Sequence, residues 1–149
     1  MMPIPAPAPT PQREQPVRGP VLWGLAFGAI QAAAPLALWW LDQATVQALL
    51  LTLIAAVYIG FAVADGRPRV IAVESSITGA FVLLAAAAVT GSAWLLVLGY
   101  AGHGFKDFWQ ERSHYVAGTR WWPPFCAAVD WLVAVVLIIE IFAGAGFHH

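Results

Sequence analysis

His103, Asp107, Glu111 and His114 fall within one short stretch, HGFKDFWQERSH. At about 100° per residue they lie at roughly 0°, 40°, 80° and 20°, so four ligating or proton-carrying side chains share one helical stripe. Phe105, Phe108 and Trp109 point the other way. Imidazole beside carboxylate suits two chemistries: coordination of zinc, iron or manganese, and proton exchange between a buried carboxylate and a histidine. Glu74 and Asp130, each isolated in an apolar run, are the further acids that could join His103 and Asp107 in a metal or cation site. No HExxH, paired ExxH or GxSxG motif accompanies them, and Ser75 or Ser76 alone is too little for serine chemistry. The residues indicate a site and leave its substrate open.

The elements that position these residues are membrane helices. Of the 149 residues, 60% are hydrophobic and only 10% charged, against roughly 25% charged in a soluble domain. This composition predicts an all-α, polytopic integral membrane bundle in contact with a lipid bilayer. A net charge of −1 provides no basic footprint for nucleic acid. The single cysteine, Cys126, excludes an internal disulfide and reads as a small buried hydrophobe.

Residues 1–20, MMPIPAPAPTPQREQPVRGP, are too rich in proline for a helix and read as an extended, disordered, retained tail. Arg13 and Arg18 follow the prolines instead of opening the chain, and the apolar run behind them is too long for a signal peptide. The bundle then occupies 21–149. Its first helix, 21–41, reaches the length of about 20 residues that crosses a hydrocarbon core. Gly24 and Gly28 form a GxxxG pair, Pro35 should kink the outer half, and Trp39 and Trp40 suit an interface. Helix two spans 45–64 and stops at the Asp65-Gly66-Arg67-Pro68-Arg69 turn.

Apolar character persists from Val70 to Gly102, about 33 residues or roughly 50 Å of helix, too long for one crossing. Thr90-Gly91-Ser92 is the expected break, because glycine can end a helix and serine can cap the next. Helices three, four and five are therefore expected at 70–89, 93–114 and 121–145, the last with Pro123 and Pro124 in its first turn. With five crossings and a cytoplasmic amino terminus, all seven basic residues lie on one side, as the positive-inside rule favours. A four-crossing alternative would put Lys106, Arg112 and Arg120 outside.

This arrangement places Asp65 at the cytoplasmic mouth, Glu74 just inside, Asp107 and His103 deeper, and Asp130 near the midplane. Glu140 lies further along helix five and rotates about 80° away from Asp130. A charge at such depth costs at least about 2.5 to 3.5 kcal/mol on insertion scales and so marks a functional site. Plainer readings stand beside this one. The stripe His103, Asp107, Gln110, Glu111, His114 also fits the solvated face of an amphipathic cytoplasmic extension. Lys106 could pair with Glu74 or Asp130 as a structural bridge. Trp121 and Trp122 suit aromatic anchoring, and Gly24, Gly28 and the Ser75-xxx-Gly79 pair suit helix packing. His148 and His149 are as easily incidental as metal-binding.

The segments HGFKDFWQER, TRWWPPFCAAVDW and YIGFAVADGR, with Glu74 in its Val-Glu-Ser setting, resemble a family of small multi-pass bacterial membrane proteins that carries only a domain-of-unknown-function label. The resemblance covers most of 58–140 and omits the proline-rich arm. It implies a bacterial inner-membrane protein with the family's polar positions at Asp65, Glu74, His103, Asp107 and Asp130, and it implies no activity.

Three functions follow as expectations. In the first, Glu74, His103, Asp107 and Asp130 form a cytoplasm-facing intramembrane site for a small cation or divalent metal ion, serving transport or membrane-embedded chemistry. In the second, the protein is a non-catalytic subunit or assembly factor that packs against a larger membrane complex through its GxxxG face and aromatic surface, with a homo-oligomer as the other expected assembly. The third is metal-dependent hydrolysis of a lipid-like substrate, with Glu74 as general base.

Overall fold

The computed structural model describes residues 18–144. Its order is α1 (Arg18–Ala32), α2 (Ala34–Ala37), α3 (Gln43–Asp65), α4 (Pro68–Thr90), α5 (Trp94–Ser113) and α6 (Trp122–Phe142), with no strand among the described residues. The proline-rich stretch 1–17 and the terminal His148 and His149 lie outside the described residues; Arg18 to Pro20, assigned to the tail by composition, open α1 instead.

The expected helix 21–41 is divided. α1 runs 15 residues, and the single turn α2 follows Ala33 with Pro35 in its first positions. Proline has no N–H to continue the ladder, which gives a break where a kink was predicted. Trp39 and Trp40 follow in a turn, 80% and 63% exposed. α3 is capped at both ends: the Asp42 carboxylate accepts from Thr45 N at 2.9 Å and also from the Thr45 hydroxyl, and Gly66 closes the helix in the left-handed region at φ 78°. Asp42→Ala should lower stability by about 1 kcal/mol, measured by thermal unfolding in detergent, because it orphans a first-turn N–H. The predicted break after α4 falls at Gly91, and Ser92 Oγ accepts from Trp94 N at 3.3 Å.

Three helices, α3, α4 and α6, are long and apolar enough to cross a membrane. The sequence reading expected five such spans. α1 falls short because it is only 15 residues long, and α5 because His103, Lys106, Asp107, Glu111 and Arg112 interrupt its apolar run.

α6 packs between α1 and α5, while α3 pairs with α4 and both reach α5. Gly24 and Gly28 are buried in the α1–α6 contact. The GxxxG pair is thus occupied within the chain, which removes it as the docking face of an assembly factor. The interior holds Leu51, Leu96, Val133 and Leu137 together with Gln31, Gln47, Glu74, His103, Asp107, Gln110 and Asp130. The exterior is apolar: Ile30, Leu83, Ile139 and Phe142 are all more than 60% exposed. Apolar side chains outward with carboxylates inward are compatible with a lipid surrounding.

One end of the bundle gathers the α3–α4 turn and the α5–α6 loop. Asp65 pairs with Arg67 at 2.6 Å and accepts from Ala117 N at 2.8 Å, while Arg67 donates to Tyr115 O at 2.6 Å. Its hydrogen bonds to the Asp65 carboxylate raise the Arg67 guanidinium above its already high ordinary pKa. At the opposite end Gln43 Nε2 donates to Glu140 Oε2 at 2.6 Å, and the Trp94 and Phe142 rings meet at 5.7 Å.

Candidate cation site

The site begins with α5, whose register is set by small residues on one side and aromatic ones on the other. Phe105, Phe108 and Trp109 face outward at 65%, 39% and 47% exposure, which turns His103, Asp107 and Gln110 into the bundle at 0–1%. The burial corrects the solvated-stripe reading for these three residues. Only the end of the stripe stays near the surface: Glu111 is half-buried, and His114 is exposed as the left-handed cap of α5 at φ 48°. The helix ends there in a left-handed turn, so His114 leaves the stripe that ideal helical periodicity assigned it.

α6 brings Asp130 to the same depth. His103 Nδ1 lies 2.8 Å from Asp130 Oδ2 and 3.3 Å from Asp107 Oδ2. One potential ligand atom from each of the three residues can be chosen so that all lie within 4.8 Å of one another. The Phe81 ring meets the imidazole edge-on with centroids 5.0 Å apart, and the Tyr58 ring lies 6.0 Å away, so apolar faces fix the histidine plane. Asp107 is set among the Tyr58 hydroxyl, His103 and Asp130, all of them buried.

Glu74, expected as the fourth ligand, is elsewhere. Its Oε2 lies 2.7 Å from Lys106 Nζ, and the ammonium sits 3.0 Å from the Tyr58 ring centroid. Lys106 is held away from His103 and Asp107 by its position on α5 and claims Glu74 as its counter-ion, so Glu74 borders the group of three without joining it. Asp65 is at the mouth, tied to Arg67, and Glu140 is at the far end with Gln43. Cys126 is buried one turn before Asp130, and Trp121 is 41% exposed with its ring stacked on Phe125 at 4.9 Å.

Three carboxylates, Glu74, Asp107 and Asp130, are fully buried beside one ammonium, Lys106, and one imidazole, His103. Every arginine among the described residues is exposed. Donor chemistry is one imidazole nitrogen with two carboxylates, a set suited to manganese, iron or zinc, and three protein ligands leave coordination positions open as in exchangeable or catalytic sites.

Gln110 closes the floor. Its Nε2 donates to Val116 O at 3.2 Å and to Thr119 Oγ1 at 3.4 Å, which ties the α5–α6 loop beneath the site. Sequence reasoning mentioned Gln110 only as a surface residue and passed over Tyr58, Tyr100, Gln31 and Gln47 because they are uncharged. The signal was present in the isolated amides of apolar runs and in Tyr100 three residues before His103 on one helical face.

No protein-family model, no curated protein and no solved structure matches the chain.

Proposed function

We propose that this chain is a five-crossing protein of the bacterial inner membrane, with its amino terminus cytoplasmic, in which His103, Asp107 and Asp130 bind one divalent metal cation inside the bundle. The buried grouping of one imidazole and two carboxylates carries the reading: ligand atoms of His103, Asp107 and Asp130 lie within 4.8 Å of one another, and a cation there offsets the two carboxylates. Glu74 and Lys106 form the pair that borders the site and sets its net charge. When bound, the metal supplies a concentrated positive charge; His103 offers it a nitrogen, and Asp107 and Asp130 offer oxygen.

Two observations support the crossing number. α1 and α2 together run from 18 to 37, about one membrane thickness. α5 meets α3 in parallel order, Tyr100 at Gln47 and Lys106 at Tyr58, so it occupies the same slab as the apolar α3 and is shielded from lipid on its polar face. Arg18, Arg67, Arg69, Arg112 and Arg120 all belong to the end carrying the α3–α4 turn, which the positive-inside rule makes cytoplasmic. The resemblance in 58–140 agrees with this setting.

The test is elemental analysis of the untagged protein purified in gentle detergent, followed by chelation and titration with Mn²⁺ or Zn²⁺, beside a His103→Ala/Asp107→Ala variant. The parent should hold one equivalent. The variant should bind at least about 100-fold more weakly, since losing two ligands exceeds the 10- to 100-fold loss typical of their supporting residues. A parent that takes up neither Mn²⁺, Zn²⁺ nor Fe²⁺ would overturn the reading and leave a proton shared within the cluster in place of the metal.

A further inference from the structure

Between the cation cluster and the end of the bundle opposite the arginines lies a second set of buried polar groups. Gln31 Nε2 donates to Tyr100 Oη at 3.1 Å, and Tyr100 Oη lies 2.8 Å from Gln47 O and 3.1 Å from Gln47 Oε1. The three side chains come from α1, α5 and α3 and are 4%, 0% and 1% exposed. Gln31 Oε1 is buried with no hydrogen-bond partner. One amide oxygen, a backbone carbonyl, a phenol oxygen and an amide N–H thus converge where leucine or alanine would pack without any polar desolvation.

The set is in register with its neighbours on both sides. Tyr100 precedes His103 by three residues, and Asp130 lies within its electrostatic reach. In the other direction Gln47 stands one turn from Gln43, which donates to Glu140 at the bundle end. Successive groups are therefore separated by roughly 4.5 to 6 Å along the helices. Oxygen donors at such steps are what a cation needs when it leaves water by stages, each step exchanging one partial shell for another.

The two exits differ in sign. Toward the arginine end, a cation leaving His103 meets Lys106 Nζ and then the Asp65–Arg67 pair with the remaining arginines around it. Toward the opposite end the polar groups are the neutral side chains of Tyr100, Gln31, Gln47 and Gln43 and then the carboxylate of Glu140. Electrostatics favour the second course for a positive charge.

We infer that Glu140, Gln43, Gln47, Gln31 and Tyr100 form the access route along which a divalent cation exchanges between the His103–Asp107–Asp130 cluster and the non-cytoplasmic face, with the Lys106–Glu74 pair closing the cytoplasmic side. The inference rests on the cation-site reading and makes the site one of binding and transport instead of hydrolysis. In the described conformation the route is closed, for the cluster residues are at most 1% exposed, and Leu51, Leu96 and Val133 pack around it.

Exchange kinetics test the route separately from the site. The detergent-purified protein is loaded with Mn²⁺ and mixed with excess chelator, and the release rate is combined with the equilibrium Kd to give the binding rate. Glu140→Gln, Gln31→Leu and Gln47→Leu should each slow release and binding together by about tenfold, as expected for a raised barrier, with Kd nearly unchanged. Thr78→Val, which removes a buried hydroxyl bonded to Ala55 O away from the route, should exchange like the parent. Glu140→Gln is close to isosteric and lies at the bundle end, so it keeps the test decisive if an interior variant does not fold. Parent-like rates in Glu140→Gln and in every folded interior variant, with Mn²⁺ still bound, would overturn the route while sparing the site. A weakened Kd with an unchanged binding rate would assign these residues to the site itself and equally overturn the route. A parent that binds no Mn²⁺ would remove the cation reading on which both stand.

Discussion

Lys106→Met should destabilise the protein by about 3 to 5 kcal/mol, the range for removing one partner of a buried ion pair. Glu74 is 0% exposed, and Lys106 Nζ at 2.7 Å is its counter-ion, so the substitution leaves a carboxylate with neither water nor a cation. The ammonium also lies 3.0 Å from the Tyr58 ring centroid, where a desolvated cation–π contact adds about 2 kcal/mol. Glu74→Gln strands the lysine in the same way. The double variant Lys106→Met/Glu74→Gln should recover most of the loss, because both uncompensated charges are gone and the methionine fills the lysine stem's volume. Unfolding of the four proteins in detergent closes the cycle, and single and double losses that simply add would show the pair to be energetically idle. The cycle also bears on the cation. Lys106→Met increases the negative charge beside His103, Asp107 and Asp130, so saturating Mn²⁺ should stabilise it more than it stabilises the parent.

How much of this was legible in the sequence depended on whether one dimension or three were needed. Length and apolar continuity sufficed for α3, α4 and α6, and the excess length from Val70 to Gly102 located the break at Gly91. Depth sufficed to group Glu74, His103, Asp107 and Asp130 within one layer. Azimuth decided which of them meet, and azimuth depends on how α4, α5 and α6 are rotated against one another. Asp130 turned toward His103, whereas Glu74 turned toward Lys106, one residue from Asp107 but about 100° around the helix. The interior amides were overlooked for a related reason: a glutamine in a membrane helix lacks a formal charge, and only its packing reveals whether it faces lipid or a partner. α1 was overextended because Pro35 was read as a kink within one helix, when its missing N–H ends the helix at Ala32.

The same gap between pattern and packing governs the glycines, and it yields a graded prediction. A Cβ built on Gly24 would lie 2.4 Å from the Phe125 carbonyl oxygen and 2.8 Å from Ala128 Cβ, both rigid, so Gly24→Ala must push α1 off α6. The expected loss is about 3 kcal/mol, the upper end of overpacking. At Gly28 the nearest atoms are 3.2 Å away and include the movable Leu132 Cδ2, so Gly28→Ala should cost about 1 kcal/mol. Gly60, on α3, has nothing within 4 Å, and Gly60→Ala should be neutral or stabilise by up to about 1 kcal/mol through helix propensity. Thermal unfolding in detergent reads all three, and equal effects at Gly24 and Gly60 would mean that α1 does not pack on α6 as described. The order matters beyond stability. α1 delivers Gln31 to Tyr100 only if Gly24 and Gly28 let its backbone approach α6 one and two turns earlier, so displacing α1 should loosen the polar interior before it touches His103 or Asp130. A partner protein, if one binds, must use a surface other than this glycine face, because α6 already fills it.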